Sequence, residues 1–502
     1  MDISLSQFAN SIYLIKPEIA ISITLVLIVL ADLIMGSNKK FLPYIALIGL
    51  VITSIFVIQQ FGLNTFGFKV AGTRGMVVVD AFGAFFKCVV LLASFLVVFF
   101  SMSSDEIKNS FERQGEYYTL MFGMILGMMF VISAADLILI YLSLELLSLS
   151  SYVLAGFTKT SIRNSEASLK YIIYGGVSSG IMLFGISIIF GITGTTNLYS
   201  INSFIHLAQI NTLTFLLAGL LIFVGIGFKI SAAPFHFWTP DVYEGAPIPI
   251  TAFLSIASKA AGFALLIRFI QVTFLTSVDG NGFWTLSALI DWKEFIVILS
   301  ILTMTLGNFA ALWQDNLKRM LAYSSIAHAG YLLLGLAVMS NEGVTAILIY
   351  FAVYAFMNLG AFFVVMLIAN RTGSEDIDDY RGLGYKMPLL GVSLGIFLVS
   401  LTGLPPTAGF IAKLYIFMAL IDAKMIALVV IAILNSVVSL YYYIRVLRNM
   451  FLIRPEEEVT PVKESLAHVV LLVVMLIPTL VLGIYFTPLV ELAQKSIALL
   501  PF

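Results

Sequence analysis

The chain has 502 residues, of which 60% are hydrophobic and 11% charged, and its mean hydropathy is +1.04. Soluble domains carry about 25% charged residues, so this composition excludes an ordinary soluble fold. The net charge of −1 gives no reason to expect nucleic-acid binding. The one cysteine, Cys88, excludes an internal disulfide and any all-cysteine zinc or iron–sulfur site within the chain.

Apolar stretches of roughly 20 residues, each long enough to cross a bilayer, recur from one end of the chain to the other. No polar block between them is long enough to fold separately, so we predict a single transmembrane domain over 1–502. The N-terminal segment lacks the basic region of a signal peptide, which predicts that the first span is retained. We predict an all-α polytopic membrane protein with about 14 spans, at 17–36, 41–60, 79–101, 117–134, 136–157, 166–192, 212–238, 247–272, 293–312, 319–339, 343–369, 387–421, 424–450 and 466–490.

Proline and glycine interrupt two of these spans. Pro234 lies in the seventh, and Gly403, Pro405, Pro406 and Gly409 lie in the twelfth. Proline removes a backbone donor and clashes with the carbonyl four residues before it, so we expect both helices to be broken. In lipid such breaks persist only where protein or a water-filled cavity satisfies the freed backbone groups.

The two breaks are five spans apart, so the two broken helices run in opposite directions. Inverted repeats of about five helices produce this arrangement, and matched broken helices mark transport sites. We place the first inverted repeat at 117–272 and the second at 293–450. The alternative is that proline and glycine are simply common in membrane helices. Two matched breaks favour the transport interpretation.

Basic residues in the loops predict the orientation of the chain. With an even number of spans both termini share one side. The loops of the opposite side hold 15 of the 27 basic residues, the terminal side holds 6, and the other 6 lie within spans. The positive-inside rule then places both termini on the outer side of the membrane.

Six basic residues lie within the predicted spans, where a charge is expensive and usually functional. Near a span end a long side chain can escape this cost by reaching the interface, as we expect for Lys87 and Arg268. Lys170 lies about one turn into its helix and has a structural interpretation on position alone. The remaining three lie deeper: they are Lys229, Lys259 and Lys413.

These three lysines accompany the interruptions or small residues of their helices. Lys229 precedes the Pro234 break, Lys413 follows the break of the twelfth span by about two turns, and Lys259 is flanked by serine, alanine and glycine. An ammonium in an apolar interior converts readily to the neutral amine. A buried lysine can therefore accept a proton and release it.

One carboxylate and two histidines belong to the same analysis. Glu145 lies in the middle of the fifth span with no basic residue near it in that span, so we expect a lysine partner from another helix. A static ion pair that fixes helix packing is the alternative. His236 and His328 could exchange protons near neutral pH, and structural hydrogen-bonded histidines are equally consistent with the sequence.

Five segments carry a resemblance to a known family. The most specific is HFWTPDVYEGAPIPITAFLSIASKAAG at 236–262. The supporting segments are LIYLSLELLSLSSYVL at 139–154, EASLKYIIYG at 166–175, NLKRMLAYSSIAHAGY at 316–331 and GLPPTAGFIAKLYIF at 403–417. Over nearly its full length the chain resembles subunit N of bacterial NADH-quinone oxidoreductase (respiratory complex I), equivalent to subunit 2 of mitochondria and chloroplasts. The related subunits L and M and the Mrp antiporters typically carry histidine where this chain has Lys259.

The resemblance implies a role for each matching residue. Glu145 would pair with Lys229 and modulate its proton affinity. Lys259 would be the central relay, with His328 nearby, and Lys413 the terminal proton carrier. Lys170 would be an accessory charge on the sixth helix, and His236 a further candidate beside the break. The fold would be antiporter-like, with 14 helices, two inverted five-helix repeats and two broken helices.

The resemblance also implies the setting. The chain would be a proton-translocating, non-redox subunit in the membrane arm of complex I in the bacterial inner membrane. Its partners would be the antiporter-like subunit M, the small subunits K and J, and lipid, without nucleic acid. No cofactor is expected in this chain, because NADH, FMN, iron–sulfur clusters and quinone would bind other subunits. The alternatives are a cation/proton antiporter outside any redox complex and a structural membrane spacer.

Overall fold

A computed structural model describes residues 5–36, 39–69, 74–158, 162–207, 210–453 and 462–497. The extreme ends of the predicted domain 1–502 lie outside these ranges. Within the described residues, 13 helices are long and apolar enough to cross a membrane. The chain is thus a multi-pass, helical membrane protein, as predicted.

The helices follow the predicted order, with ends shifted by a few residues. The spans are Lys16–Met35, Lys39–Gln60, Ala81–Ser103, Gln114–Ser133, Leu137–Ala155, Ile162–Thr193, Thr212–Ile230, Ile248–Phe274, Trp292–Ala311, Leu317–Ala337, Asn341–Thr372, Ile426–Phe451 and Leu466–Ile484. The twelfth span lies between Asn341–Thr372 and Ile426–Phe451 and consists of two shorter helices, Pro388–Thr402 and Ala408–Asp422. With it the described helices supply 14 crossings, matching the prediction.

Short elements connect the spans. The short helices are Leu5–Leu14, Asp105–Lys108, Phe111–Arg113, Leu198–Leu207, Trp238–Gly245, Ile377–Tyr380, Leu383–Lys386 and Thr487–Ser496. Two small antiparallel hairpins pair Thr65–Gly67 with Val77–Val79 and Leu275–Val278 with Trp284–Leu286. The all-α prediction did not include these hairpins, which lie in loops and leave the helical architecture unchanged.

Contacts between loops are consistent with this number of crossings. Loops that follow even-numbered spans touch only one another in these contacts, and so do loops that follow odd-numbered spans. The even group contains the bridges Val77–Ala134, Asp136–Asn197 and Phe283–Ser340, and the odd group contains Asn316–Asp376 and the hydrogen bond from Val462 N to Lys386 O. Two spans lie between the loops of each contact, and two crossings return the chain to the same side, as 14 spans require.

Both predicted breaks occur where proline requires them. The seventh span ends at Ile230, four residues before Pro234, and Ser231 takes a left-handed conformation with φ of 60°. The first half of the twelfth span ends at Thr402, and Gly403 follows with φ of 87°. The expectation of two interrupted helices is confirmed.

Two helix pairs pack in the same way at matching places in the chain. A Cβ on Gly127 of the fourth span would lie 2.7 Å from Leu147 N and 2.8 Å from Ser143 O of the fifth span. A Cβ on Gly307 of the ninth span would lie 2.6 Å from Ala327 N and 2.8 Å from Tyr323 O of the tenth span. The three residues of the second contact each lie 180 positions after the matching residue of the first: 307 after 127, 327 after 147 and 323 after 143.

Two basic residues that we expected to reach the interface are instead buried in ion pairs. The Lys87 ammonium lies 2.6 Å from a Glu18 carboxylate oxygen, and both side chains are 1% exposed. The Arg268 guanidinium donates two hydrogen bonds, of 2.8 and 3.0 Å, to the Asp80 carboxylate, with both residues fully buried. The interface prediction was wrong because each residue faces a neighbouring helix end that carries an acid.

Candidate functional site

Lys229 lies in the last turn of the seventh span, directly before the break. The Trp238 ring nitrogen donates a 2.9 Å hydrogen bond to the Phe228 carbonyl in the last turn, which also accepts from Ser231 N. Lys229 is 1% exposed, and its ammonium donates to the Ser148 hydroxyl at 3.1 Å. The break and the indole thus fix the helix end that holds this lysine.

Glu145 lies one turn before Ser148 on the fifth span and is half-buried. Glu145, Ser148 and Lys229 line one small cavity together with Tyr152. Among the described residues, the Glu145 carboxylate forms no ion pair, so the expected pairing with Lys229 is not a direct contact in this conformation. The residues at 145 and 148 share a helix face, which leaves both within the reach of one flexible lysine.

Lys259 lies in the completely buried eighth span, directly after a π-helical turn at Leu254–Ser258. Such turns occur frequently at functional sites, and this one was not predicted from the sequence. The Lys259 ammonium donates to the Ser325 carbonyl at 2.8 Å and to the Ser325 hydroxyl at 2.7 Å. Two neutral oxygens of the tenth span therefore hold this cation.

His328 lies one turn after Ser325 on the same helix. Its Nδ1 is 2.6 Å from the Tyr350 hydroxyl, and its Nε2 is 3.5 Å from the Tyr443 hydroxyl. Three helices, the tenth, eleventh and thirteenth, contribute these groups. Both ring nitrogens consequently face phenol groups that can donate or accept a hydrogen bond.

Lys413 lies in the second half of the twelfth span and hydrogen-bonds to Thr402, the last residue of the first half. Its ammonium donates to the Thr402 carbonyl at 2.7 Å and to the Ser436 hydroxyl at 3.1 Å. The same ammonium lies 4.5 Å from the centre of the Tyr331 ring. The helix break thus supplies a carbonyl that would otherwise lack a donor, and Lys413 occupies it.

The three deep lysines share one electrostatic property. Among the described residues, none of Lys229, Lys259 and Lys413 forms an ion pair, and each ammonium is held by neutral oxygens. A buried charge without a counter-ion is costly. The arrangement is therefore suited to groups that change charge rather than to permanent ion pairs that fix packing.

Lys170 lies apart from this set, in a partly exposed cluster of charged side chains. It is 37% exposed, and its ammonium forms ion pairs with Glu166 at 2.6 Å and Asp241 at 2.5 Å. Arg319 joins the cluster with contacts of 2.6 Å to Asp241 and 2.8 Å to Glu244. Burial alone would raise the pKa of Asp241, but hydrogen bonds from Lys170 and Arg319 outweigh it and hold that pKa below its usual value. The sixth span, the helix after the break and the tenth span meet in this cluster.

His236 lies in the interrupted segment, where it is buried. Its Nδ1 has no hydrogen-bond partner among the described residues, and the centre of its ring lies 4.5 Å from that of Phe237, with the two rings tilted by 31°. It contacts none of the three deep lysines by a hydrogen bond, so its predicted part in proton movement remains a prediction.

Sequence reasoning found the lysines and missed the groups that bind them. Ser148, Ser325 and Ser436 each accept a hydrogen bond from one deep lysine. Serine is common in membrane helices and usually bonds to its own backbone, so its composition carries no signal. Only the packing of neighbouring helices identifies these three.

Broken helices, buried lysines and a helical membrane fold define the class of antiporter-like transmembrane proteins. The family described as NADH:quinone oxidoreductase/Mrp antiporter, transmembrane, matches residues 134–439. A Chloroherpeton thalassium protein named NADH-quinone oxidoreductase subunit N 2 is 48% identical over 96% of this chain and 94% of that protein. A Chlorobium chlorochromatii protein named NADH-quinone oxidoreductase subunit N is 46% identical over 96% of this chain and 93% of that protein.

Solved structures agree with this relationship. A chain in respiratory complex I from Thermus thermophilus superposes with a TM-score of 0.75 at 30% identity, covering 95% of this chain and all of that one. A chain of an archaeal membrane-bound sulfane sulfur reductase gives a TM-score of 0.85 at 25% identity, covering 97% of each chain. The chain belongs to the NADH:quinone oxidoreductase/Mrp antiporter family and, within it, to the NADH-quinone oxidoreductase subunit N proteins.

Proposed function

We propose that this protein is a proton-translocating subunit of the membrane arm of an NADH-quinone oxidoreductase. The observation that carries the proposal is the set of three buried lysines, Lys229, Lys259 and Lys413, each held by neutral oxygens. Such groups can gain and lose protons without breaking a permanent ion pair. The relatives named above supply the enzyme in which this chemistry would be used.

The first step would take place at the seventh-span break. Lys229 donates to Ser148, one turn from Glu145, in the cavity that all three line. A rotamer change of Lys229 toward the Glu145 carboxylate would stabilise its ammonium form, and its return to Ser148 would favour release of the proton. Charge movement elsewhere in the complex, driven by quinone reduction, would select between the two positions.

The proton would then pass from Lys229 to Lys259 and, by way of His328, to Lys413. Lys170 would act as an accessory charge, because its ion pair with Asp241 attaches the sixth span to the helix after the break. His236 would lie beside the route. The chain would supply no redox centre, since NADH, FMN, iron–sulfur clusters and quinone would bind other subunits.

The setting we propose follows from the relatives and the loop charges. Bacterial subunit N proteins support a place in the bacterial inner membrane, next to subunits M, K and J and to lipid. The excess of basic residues in loops opposite the termini supports an outer position for both termini. The matched contacts of Gly127 and Gly307 support two inverted repeats at 117–272 and 293–450.

The test uses the assembled complex in proteoliposomes, with proton uptake and quinone reduction recorded together. We expect Lys229→Ala and Glu145→Ala to lose most of the proton pumping of the wild type. The surface variant Lys108→Ala, whose side chain is half exposed, should pump normally. Wild-type numbers of protons per quinone in both site variants would refute the proposal.

Proton exchange for another cation outside a redox complex is the second candidate, because the same lysines would serve it. The matching family also includes Mrp antiporters, which supports this second candidate. The isolated chain in proteoliposomes, given a proton gradient, should then accumulate sodium. We expect no sodium movement, and sodium transport by the isolated chain would reverse our preference.

A further inference from the structure

One face of the tenth span joins two of the buried lysines. Ser325, His328 and Tyr331 follow one another at intervals of three residues, so each lies beside the next and the three span about a third of the helix circumference. All three are buried, and the distance from the first to the third along the helix is about 9 Å at 1.5 Å per residue. Ser325 contacts Lys259 at one end, and Tyr331 contacts Lys413 at the other.

We propose that Ser325 and Tyr331 are positioning residues that hold Lys259 and Lys413 at the two ends of a polar path whose middle is His328. This inference rests on the proposed function and adds two residues to it. It assigns to a single rigid helix the task of keeping both lysines in register with the histidine.

Tyr331 acts on Lys413 in two ways. Its hydroxyl lies 3.0 Å from the Ser436 hydroxyl, which also accepts the 3.1 Å hydrogen bond from Lys413. The face of its ring lies 4.5 Å from the same ammonium, at a distance where the ring quadrupole attracts a cation. The hydroxyl therefore fixes the serine that binds Lys413, and the ring stabilises the charged form of the lysine.

Ser325 binds Lys259 through its side-chain hydroxyl and its backbone carbonyl. The backbone carbonyl of Ser325 remains in any variant, whereas the hydroxyl can be removed. Without the hydroxyl, the ammonium keeps one of its two oxygens and gains freedom to turn away from the tenth span. Loss of the hydroxyl should consequently weaken transfer between Lys259 and His328 without abolishing it.

His328 completes the path through two phenols outside this face. The Tyr350 hydroxyl at Nδ1 and the Tyr443 hydroxyl at Nε2 orient the ring from the eleventh and thirteenth spans. The ring centres of His328 and Tyr331 are 6.1 Å apart, which is the next step toward Lys413. Tyr331 therefore packs between the His328 ring and the Lys413 ammonium.

The experiment compares variants of Tyr331 in the assembled complex in proteoliposomes, with protons counted per quinone reduced. We expect Tyr331→Phe, which keeps the ring, to lose part of the pumping and Tyr331→Leu, which removes ring and hydroxyl, to lose most of it. The matched control is Tyr117→Phe, since Tyr117 is equally buried and its hydroxyl bonds to Ser101, away from the three deep lysines. The control should pump like the wild type.

Ser325 gives a second, independent comparison. Ser325→Ala should lose part of the pumping, and Ser325→Thr, which keeps the hydroxyl, should restore it, whereas a purely structural role would follow side-chain volume instead. Ser300→Ala is the control, because Ser300 is buried in the ninth span and bonds to its own helix at Val297. Wild-type pumping by Tyr331→Phe, Tyr331→Leu and Ser325→Ala would overturn the inference.

Lys413→Ala in the same assay separates this inference from the proposed function. If Lys413→Ala stops pumping and the Tyr331 and Ser325 variants do not, the proposed function stands and the positioning roles are refuted. If Lys413→Ala itself pumps at the wild-type ratio, the proposed function fails and the inference fails with it. If Tyr331→Leu does not assemble, Tyr331→Phe still decides, because it preserves the ring.

Discussion

The ion pair between Lys87 and Glu18 gives a stability prediction whose size follows from its geometry. The Lys87 ammonium is 2.6 Å from one Glu18 oxygen and 3.0 Å from the Gln60 side-chain oxygen, and both charged groups are 1% exposed. The second Glu18 oxygen has no hydrogen-bond partner among the described residues. Lys87 is therefore the main compensation for a carboxylate that is already incompletely satisfied.

Lys87→Met should leave that carboxylate buried and uncompensated. Removing one partner of a buried pair costs about 3–5 kcal/mol, which lowers the folding equilibrium constant between about a hundredfold and several thousandfold at 1.4 kcal/mol per factor of ten. The double variant Glu18→Gln/Lys87→Met removes both charges and should fall within about 1 kcal/mol of the wild type, because replacement of a whole buried pair is often neutral.

The assay is reversible unfolding of the full chain in mixed micelles of increasing denaturing detergent. Lys108→Met is the control, since the Lys108–Asp105 pair is half exposed and should contribute no more than about 0.5 kcal/mol. If the single variant Lys87→Met and the double variant are equally stable, the charge of Glu18 is not what Lys87 compensates, and the argument is refuted.

Two further predictions concern packing and pH. Gly307→Ala should lower the free energy of unfolding by about 1–3 kcal/mol, because its Cβ would meet backbone atoms of the tenth span at 2.6 and 2.8 Å. Gly176→Ala is the control: its Cβ would have no atom within 4 Å, so it should stabilise the sixth span by about 0.5–1 kcal/mol. Equal unfolding midpoints for the two variants would contradict the close packing at Gly307. The lowered pKa of Asp241 means that its bonds to Lys170 and Arg319 stabilise the fold above its unfolded pKa of about 3.9 and are lost as pH falls through the folded value. Asp241→Asn should therefore be less stable than the wild type at pH 7 and show a smaller loss of stability below pH 4, and parallel stability curves for the two would show that Asp241 does not contribute this dependence.

The number of spans and the two breaks could be predicted because their causes are local. A run of about 20 apolar residues predicts a membrane span from local sequence alone. Pro234 has no N–H to donate to the Ile230 carbonyl, and the seventh helix ends at Ile230. The three deep lysines could also be found from the sequence, because a charged residue in the middle of an apolar run is costly and usually functional.

The surroundings of those lysines could not be predicted, because they depend on which helices touch. Lys87 and Arg268 lie near span ends, and nothing in their own helices shows that Glu18 and Asp80 come from other parts of the chain to meet them. The π-helical turn before Lys259 is likewise a product of packing. Glu145 lines the same cavity as Lys229, but sequence could not show that Ser148 is the hydrogen-bond partner of the lysine.

The central claim is that Glu145, Lys229, Lys259 and Lys413 lie on one continuous polar route. A structure of the chain in its assembled complex, at a resolution that shows ordered water, tests this most directly. We predict a chain of waters and hydroxyl groups that links the three lysines by way of His328, with no step longer than a hydrogen bond. A dry apolar layer between any two neighbouring lysines, retained in every state of the working complex, would contradict the account.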